Sequence, residues 1–261
     1  MIAQRLSIWP AYLAGIAMIA LSVYISAVYG NLPEIKPEPE PVEETAEETQ
    51  ENVPEKTEET VEIPVITYDS FWDAEIKQAY NANNDTVGWL TISGCEIDNS
   101  VLQGSDNSYY LRKTESLAYS VWGCYFMDYR NTVTETDIMD RVTIIYGHSL
   151  GNDKNASKFS KLKRYKDEDF ALSHKTVELD TLYKPHYFTV CAASDVPVTF
   201  DYLQVNPDDS KFASVVDYIM SRSYVDFGEE IDSDDQLLIL STCTFDDDLR
   251  YVILCKMVEE K

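Results

Sequence analysis

Residues 237–256 read LLILSTCTFDDDLRYVILCK. Two apolar runs flank a short acidic turn, the pattern of a β-hairpin with buried strands over 236–243 and 250–258. The first run ends in Ser241-Thr242-Cys243, Asp246, Asp247 and Asp248 fill the turn, and Arg250 opens the second run. Alternation along a strand puts Leu237, Ile239, Ser241 and Cys243 on one face. It gives Arg250 the parity of Val252 and Leu254 and turns Cys255 the other way. Upstream, residues 142–149 read VTIIYGHS, a run that ends on His148 with Val142, Ile144 and Tyr146 on its face. A thiol, an imidazole and a guanidinium each sit at a strand end, where side chains reach substrate while the sheet holds them still. A cysteine with a distant histidine is a recurrent arrangement for acyl transfer. The other two histidines have blander surroundings: His174 follows a helical stretch and His186 follows Pro185 at a strand start.

Around these residues the chain resembles the sortases, the cysteine transpeptidases that attach proteins to Gram-positive cell walls, and within them class B. The family pattern TLxTC followed by Arg on the next strand reads here as Ile239-Leu240-Ser241-Thr242-Cys243, then Arg250. Further class B features are NDTVGWL at 84–90, VLQGSDNSYYL at 101–111, YFMDYRN at 125–131 and YGHSLGNDKNASKFSKLKRY at 146–165. They run in order from about residue 69 to 258. Two departures are Ile239 in place of the first Thr and a slightly short turn from Cys243 to Arg250.

Composition divides the chain into three zones. Residues 6–30 carry no charge, with Arg5 before them and glutamates beyond. That stretch is long enough for a bilayer core, which takes roughly 20 apolar residues. The charge bias sets the N-terminus in the cytoplasm and the rest of the chain outside. A cleaved signal peptide is the competing reading, although Ile25-Ser26-Ala27 fits an A-x-A-like site poorly. Residues 31–66 hold twelve glutamates, two lysines and six of the ten prolines, for a charge of −10. Such a segment buries too little apolar surface to offset its ordering entropy, so a disordered, extended spacer is expected. Residues 67–261 have the composition of one globular domain with a sizeable core. Taking the linker's −10 and Arg5's +1 from the chain's −25 leaves this domain at −16, which argues against nucleic-acid binding.

Five cysteines, an odd number with no CxxC spacing, argue against a disulfide framework or a cysteine metal site. Cys243 is read as the reactive thiol, and Cys95, Cys124, Cys191 and Cys255 as small buried hydrophobes. No cofactor or metal is expected. Periodicity predicts a helix over 69–82, strands over 87–93, 95–102, 121–128, 141–148, 175–182 and 185–193, and surface helices over 159–174. A further helix over 208–222 carries the stripe Phe212, Val215, Val216, Ile219 and Met220.

The resemblance implies a mainly β fold, a closed mixed barrel with an N-terminal helix and a helix between the late strands. It implies that Cys243 attacks a Thr carbonyl in a C-terminal sorting signal, that His148 serves as acid and base, and that Arg250 holds the oxyanion or the substrate backbone. Ser241, Thr242 and Tyr146 are the candidate substrate-binding residues. The expected partners are surface proteins with an NPxT-like signal and an amine from a cell-wall precursor or a pilin. The expected location is the cell membrane, single-pass, with the catalytic domain outside. Two readings compete: a cysteine endopeptidase that mainly hydrolyses, and a non-catalytic surface module. The Cys-after-His order departs from papain-type enzymes.

Overall fold

The computed structural model describes residues 73–134, 140–149, 157–243 and 248–258. The expected membrane span at Leu6–Gly30 and the linker at 31–66 lie outside them. Among the described residues, no helix is long and apolar enough to cross a membrane.

The chain enters through helix α1 (Ala74–Ala82), capped by Asp73, whose carboxylate accepts the Glu75 and Ile76 N–H groups at 2.7 and 3.1 Å. Strands β1 (Thr86–Ile92), β2 (Ile97–Gln103), β3 (Tyr125–Met127) and β4 (Val142–His148) follow. A 3-10 helix (Lys158–Lys166) and the short helix α2 (Glu168–Ser173) precede β5 (Thr176–Thr181) and β6 (Tyr187–Pro197). Helix α3 (Asp209–Met220) then leads to β7 (Leu237–Cys243) and β8 (Leu249–Val258). The eight strands close into a barrel in the order β1-β2-β3-β4-β7-β8-β6-β5. Pairing is antiparallel except at β2–β3 and β4–β7, which makes the barrel mixed, as expected.

The strands β4, β7 and β8 are buried on both faces, which is why they read as continuous apolar runs. Ile145, Leu238, Leu240, Tyr251, Ile253 and Cys255 join the inner core with Leu90, Val101 and Val177. Val142, Ile144, Tyr146, Leu237, Ile239, Val252 and Leu254 join a second, outer core. Helix α3 covers that outer face with Phe212, Val215, Val216 and Ile219. Its start is fixed by Asp208, whose carboxylate accepts the Lys211 N–H at 2.8 Å. Each fully buried side chain of that stripe contributes about 1.5–3 kcal/mol.

Three expectations need correction. The strand expected over 121–128 is only Tyr125–Met127. Gly123 sits at φ +57°, and a Cβ there would meet the Tyr110 and Leu111 carbonyl oxygens at 2.7 Å, so the backbone turns instead of extending. The strand expected from 95 begins at Ile97, because Ser93–Cys95 winds into a 3-10 turn and Glu96 is left-handed at φ 51°. The helices over 159–174 are not merely superficial. Phe159, Leu162 and Tyr165 recur every third residue, the 3-10 period, and all three are fully buried in the inner core.

Candidate active site

Parallel pairing of β4 and β7 registers Tyr146 with Ser241, Gly147 with Thr242 and His148 with Cys243. Antiparallel pairing of β7 and β8 runs from Leu237 opposite Lys256 to Ser241 opposite Val252. Continued by two residues, the same register sets Arg250 across from Cys243. The Tyr251 N–H donates to the Thr242 Oγ1 at 3.0 Å and carries that register past the last ladder pair. Paired strands run about 4.7–4.9 Å apart. The strand positions of His148 and Arg250 therefore flank that of Cys243, one on each side. His148 and Arg250 share the parity of the outer core, since Tyr146 and Val252 belong to it.

His148 is buried, and burial, followed by the charge of Arg112, moves its pKa below the ordinary 6.5. The shift favours the neutral ring. The other histidines belong elsewhere. His174 ends α2, stacks on Phe170 with ring centres 4.3 Å apart, and sets Nδ1 2.9 Å from the Phe170 carbonyl oxygen. His186 is buried at the β5–β6 connection, where its carbonyl accepts the Leu179 N–H. The thiols of Cys95, Cys124, Cys191 and Cys255 are free and buried, and burial holds each above its ordinary pKa.

Beside these strand ends lies a pocket of about 290 Å³. Tyr146, Ser241, Thr242 and Arg250 line it from the barrel, and residues 198–203 wall it from the other side. All three candidate substrate-binding residues therefore meet at one cleft with Arg250. Their hydroxyls already have partners: Ser241 lies 2.8 Å from the Tyr202 hydroxyl, Thr242 accepts from Tyr251, and Tyr146 donates to Asp128 Oδ2 at 2.7 Å. The Arg250 Nη1 donates to the Leu249 carbonyl at 2.9 Å. The wall is braced by Phe200, whose ring stacks on Tyr218 of α3 at 3.7 Å between centres.

Sequence reasoning missed this wall. Its signal was the aromatic stretch Thr199-Phe200-Asp201-Tyr202-Leu203 just after β6, too short for a periodicity and outside the family motifs. It also left YFMDYRN without a role. In the structure Asp128 of that stretch is fully buried beneath Tyr146.

The closed mixed barrel carries a cysteine position flanked by histidine and arginine positions beside a pocket of about 290 Å³, an arrangement compatible with cysteine acyl transfer. No protein-family model matches the chain. A sortase B of Listeria monocytogenes is 32% identical over 188 residues, covering 70% of this chain and 74% of the relative. The structure of a Staphylococcus aureus sortase B–substrate complex superposes with a TM-score of 0.65 at 26% identity, covering 72% of this chain and 86% of that one. A sortase B complexed with triglycine gives a TM-score of 0.64 at 26% identity, with coverages of 72% and 86%. The chain belongs to the class B sortase family and is a sortase-type transpeptidase.

Proposed function

We propose that this transpeptidase cleaves a C-terminal sorting signal at a Thr carbonyl and transfers the resulting acyl group to an amine of a cell-wall precursor or a pilin. Transfer of the Cys243 thiol proton to the neutral His148 imidazole gives the thiolate, which attacks the carbonyl, and collapse of the adduct leaves a thioester. His148 supplies the proton that leaves with the departing amine. The neutral imidazole then takes a proton from the incoming amine, which attacks the thioester, forms the new amide and returns the thiolate. Arg250 stabilises the oxyanion or holds the substrate backbone. The observation that carries this reading is the pairing of His148 with Cys243 across β4 and β7, next to a pocket lined by Thr242 and Arg250.

The residues before the scissile bond would lie along Tyr146, Ser241, Thr242 and the 198–203 wall. An Asn-Pro-x-Thr peptide is the first substrate class to test. The substrate and triglycine complexes of the related proteins support a peptide signal and an amine acceptor in general terms. The uncharged Leu6–Gly30 stretch and the acidic 31–66 segment support a membrane anchor and an extracellular spacer.

Mass spectrometry after incubation with an Asn-Pro-x-Thr peptide library, with and without triglycine, tests the chemistry. A thioester adduct on Cys243 and an amine-dependent ligation product are expected. No adduct with any peptide overturns the reading, and hydrolysis undiminished by amine makes the protein an endopeptidase. Protease treatment of wall-stripped cells should cut within 31–66 and release the domain; a protected chain overturns the topology.

A further inference from the structure

We propose that Arg130 and Asp128 form a clamp that positions two opposite sides of the peptide pocket, a proposal that rests on the pocket's role in substrate binding. Asp128 follows β3 and is fully buried. Its carboxylate accepts from Arg130 three times: from the backbone N–H at 3.0 Å and Nε at 2.8 Å on Oδ1, and from Nη2 at 2.8 Å on Oδ2. Oδ2 also accepts from the Tyr146 hydroxyl at 2.7 Å and from Asn107 Nδ2 at 2.9 Å. The same Arg130 Nη2 reaches on to the Leu203 carbonyl at 3.0 Å. Tyr146 and Leu203 both line the pocket, one from the barrel and one from the wall. A single ion pair therefore connects the two sides.

A buried carboxylate is costly unless charged and polar donors surround it. Here they do. Burial alone would raise the Asp128 pKa, but the hydrogen bonds from Arg130, Tyr146 and Asn107 outweigh it and bring the group down to about 2. The clamp is thus charged at any physiological pH. The planar guanidinium is what allows one side chain to grip both carboxylate oxygens and a third acceptor; an ammonium is a point charge without that fork. The wall has other tethers: Val198 N–H donates to the Asp248 carbonyl at 2.9 Å, Phe200 stacks on Tyr218, and the Tyr202 hydroxyl lies 2.8 Å from Ser241 Oγ. The Arg130 bond is the one that ties the Leu203 carbonyl to the group holding Tyr146. Arg130 does not touch the positions of the reacting atoms, so it is a positioning residue.

The test compares the full-length chain with R130M and R130K. Hydrogen exchange is read on the amides of Phe200, Tyr202 and Gln204, with β1 and β2 as internal reference. Exchange in the wall should rise at least about tenfold in R130M while the reference is unchanged, the mark of local rather than global loosening. R130K should fall between R130M and wild type; it serves alone if R130M does not fold. With an Asn-Pro-x-Thr peptide, KM should rise about tenfold or more with kcat within about threefold, the pattern of lost binding rather than lost chemistry. Wall exchange equal to wild type overturns the clamp, as does a fall in kcat at constant KM. If wild type turns over no peptide, the substrate reading fails, and the exchange comparison still decides the clamp.

Discussion

Thr242 offers its side-chain oxygen to the Tyr251 backbone N–H, 3.0 Å away, where the β7–β8 ladder ends at Ser241 and Val252. The hydroxyl stands in for a ladder carbonyl. It keeps a buried donor satisfied just past the last ladder pair. Thr242 and Tyr251 are both buried, so water cannot replace the bond. Thr242→Val should lower stability by about 1–3 kcal/mol, the usual cost of an orphaned buried donor. Thr242→Ser should retain most of it. Urea denaturation of the two variants checks this; equal stability of the Val and wild-type proteins would remove the capping role.

Cys243→Ala should abolish the acyl-enzyme adduct. Single replacements of Cys95, Cys124, Cys191 and Cys255 by Ala should leave adduct formation intact, because those thiols are buried away from the pocket. His148→Ala and Arg250→Ala should each reduce turnover at least about 10²-fold. Arg250→Lys should recover only part of the loss. Single-turnover kinetics with intact-mass detection reads all of these, and a fully active Arg250→Ala protein would reassign the guanidinium to the surface.

The depressed pKa of His148 comes from burial first and Arg112 second. Arg112 is anchored by a bond from Nη1 to the Val121 carbonyl at 2.8 Å. Arg112→Gln removes the second cause only, so the His148 pKa should rise towards 6.5 without reaching it. NMR titration of the imidazole protons measures the shift directly; an unmoved titration would leave burial as the whole cause. Linkage gives the sign for stability. The unfolded chain binds a proton that the folded ring resists, so stability is full above pH 6.5 and declines as pH falls from there towards the folded pKa.

Asp180 predicts the opposite slope. It sits on β5 in register with Trp89, is buried, and its Oδ1 has no hydrogen-bond partner. Burial, with the charge of Glu178 beside it, pushes its carboxyl up to about 7 from 3.8. The folded protein holds this proton where the unfolded chain has lost it. Stability is therefore full below pH 3.8 and is lost as pH rises towards 7, by at most about 1.4 kcal/mol per unit. Asp180→Asn should gain on wild type steadily over that interval and hold its advantage above it. Melting temperatures measured across pH 4–8 give the comparison, and parallel profiles would show that the carboxyl ionises normally.

The sequence was most legible where pattern and chemistry coincide. Alternation alone grouped Ile239 with Leu237, Tyr146 with Ile144 and Val252 with Leu254, and turned Cys255 away from the last pair; the two cores keep each grouping. The stripe of α3 from Phe212 to Ile219 was visible for the same reason. What alternation cannot supply is which strands adjoin. Parallel pairing of β4 with β7 joins residues about a hundred positions apart, and only the family resemblance anticipated it. The pocket wall was illegible because its shape depends on long-range holds, the Tyr202–Ser241 and Arg130–Leu203 contacts, that leave no local signature. The membrane span and linker are outside the described residues.

The parts of the cleft that do not come from barrel strands belong to one uninterrupted stretch, between the end of β6 at Pro197 and the start of β7 at Leu237. His148, Cys243 and Arg250 all lie outside it. Among the described residues, the pocket lining is thus written in two blocks of the gene, and the proposed catalytic positions fall in only one of them. A single exchange of residues 198–236 between relatives would replace one side of the pocket while leaving His148, Cys243 and Arg250 in place, with Arg130 on the barrel side as the residue any donor segment must satisfy.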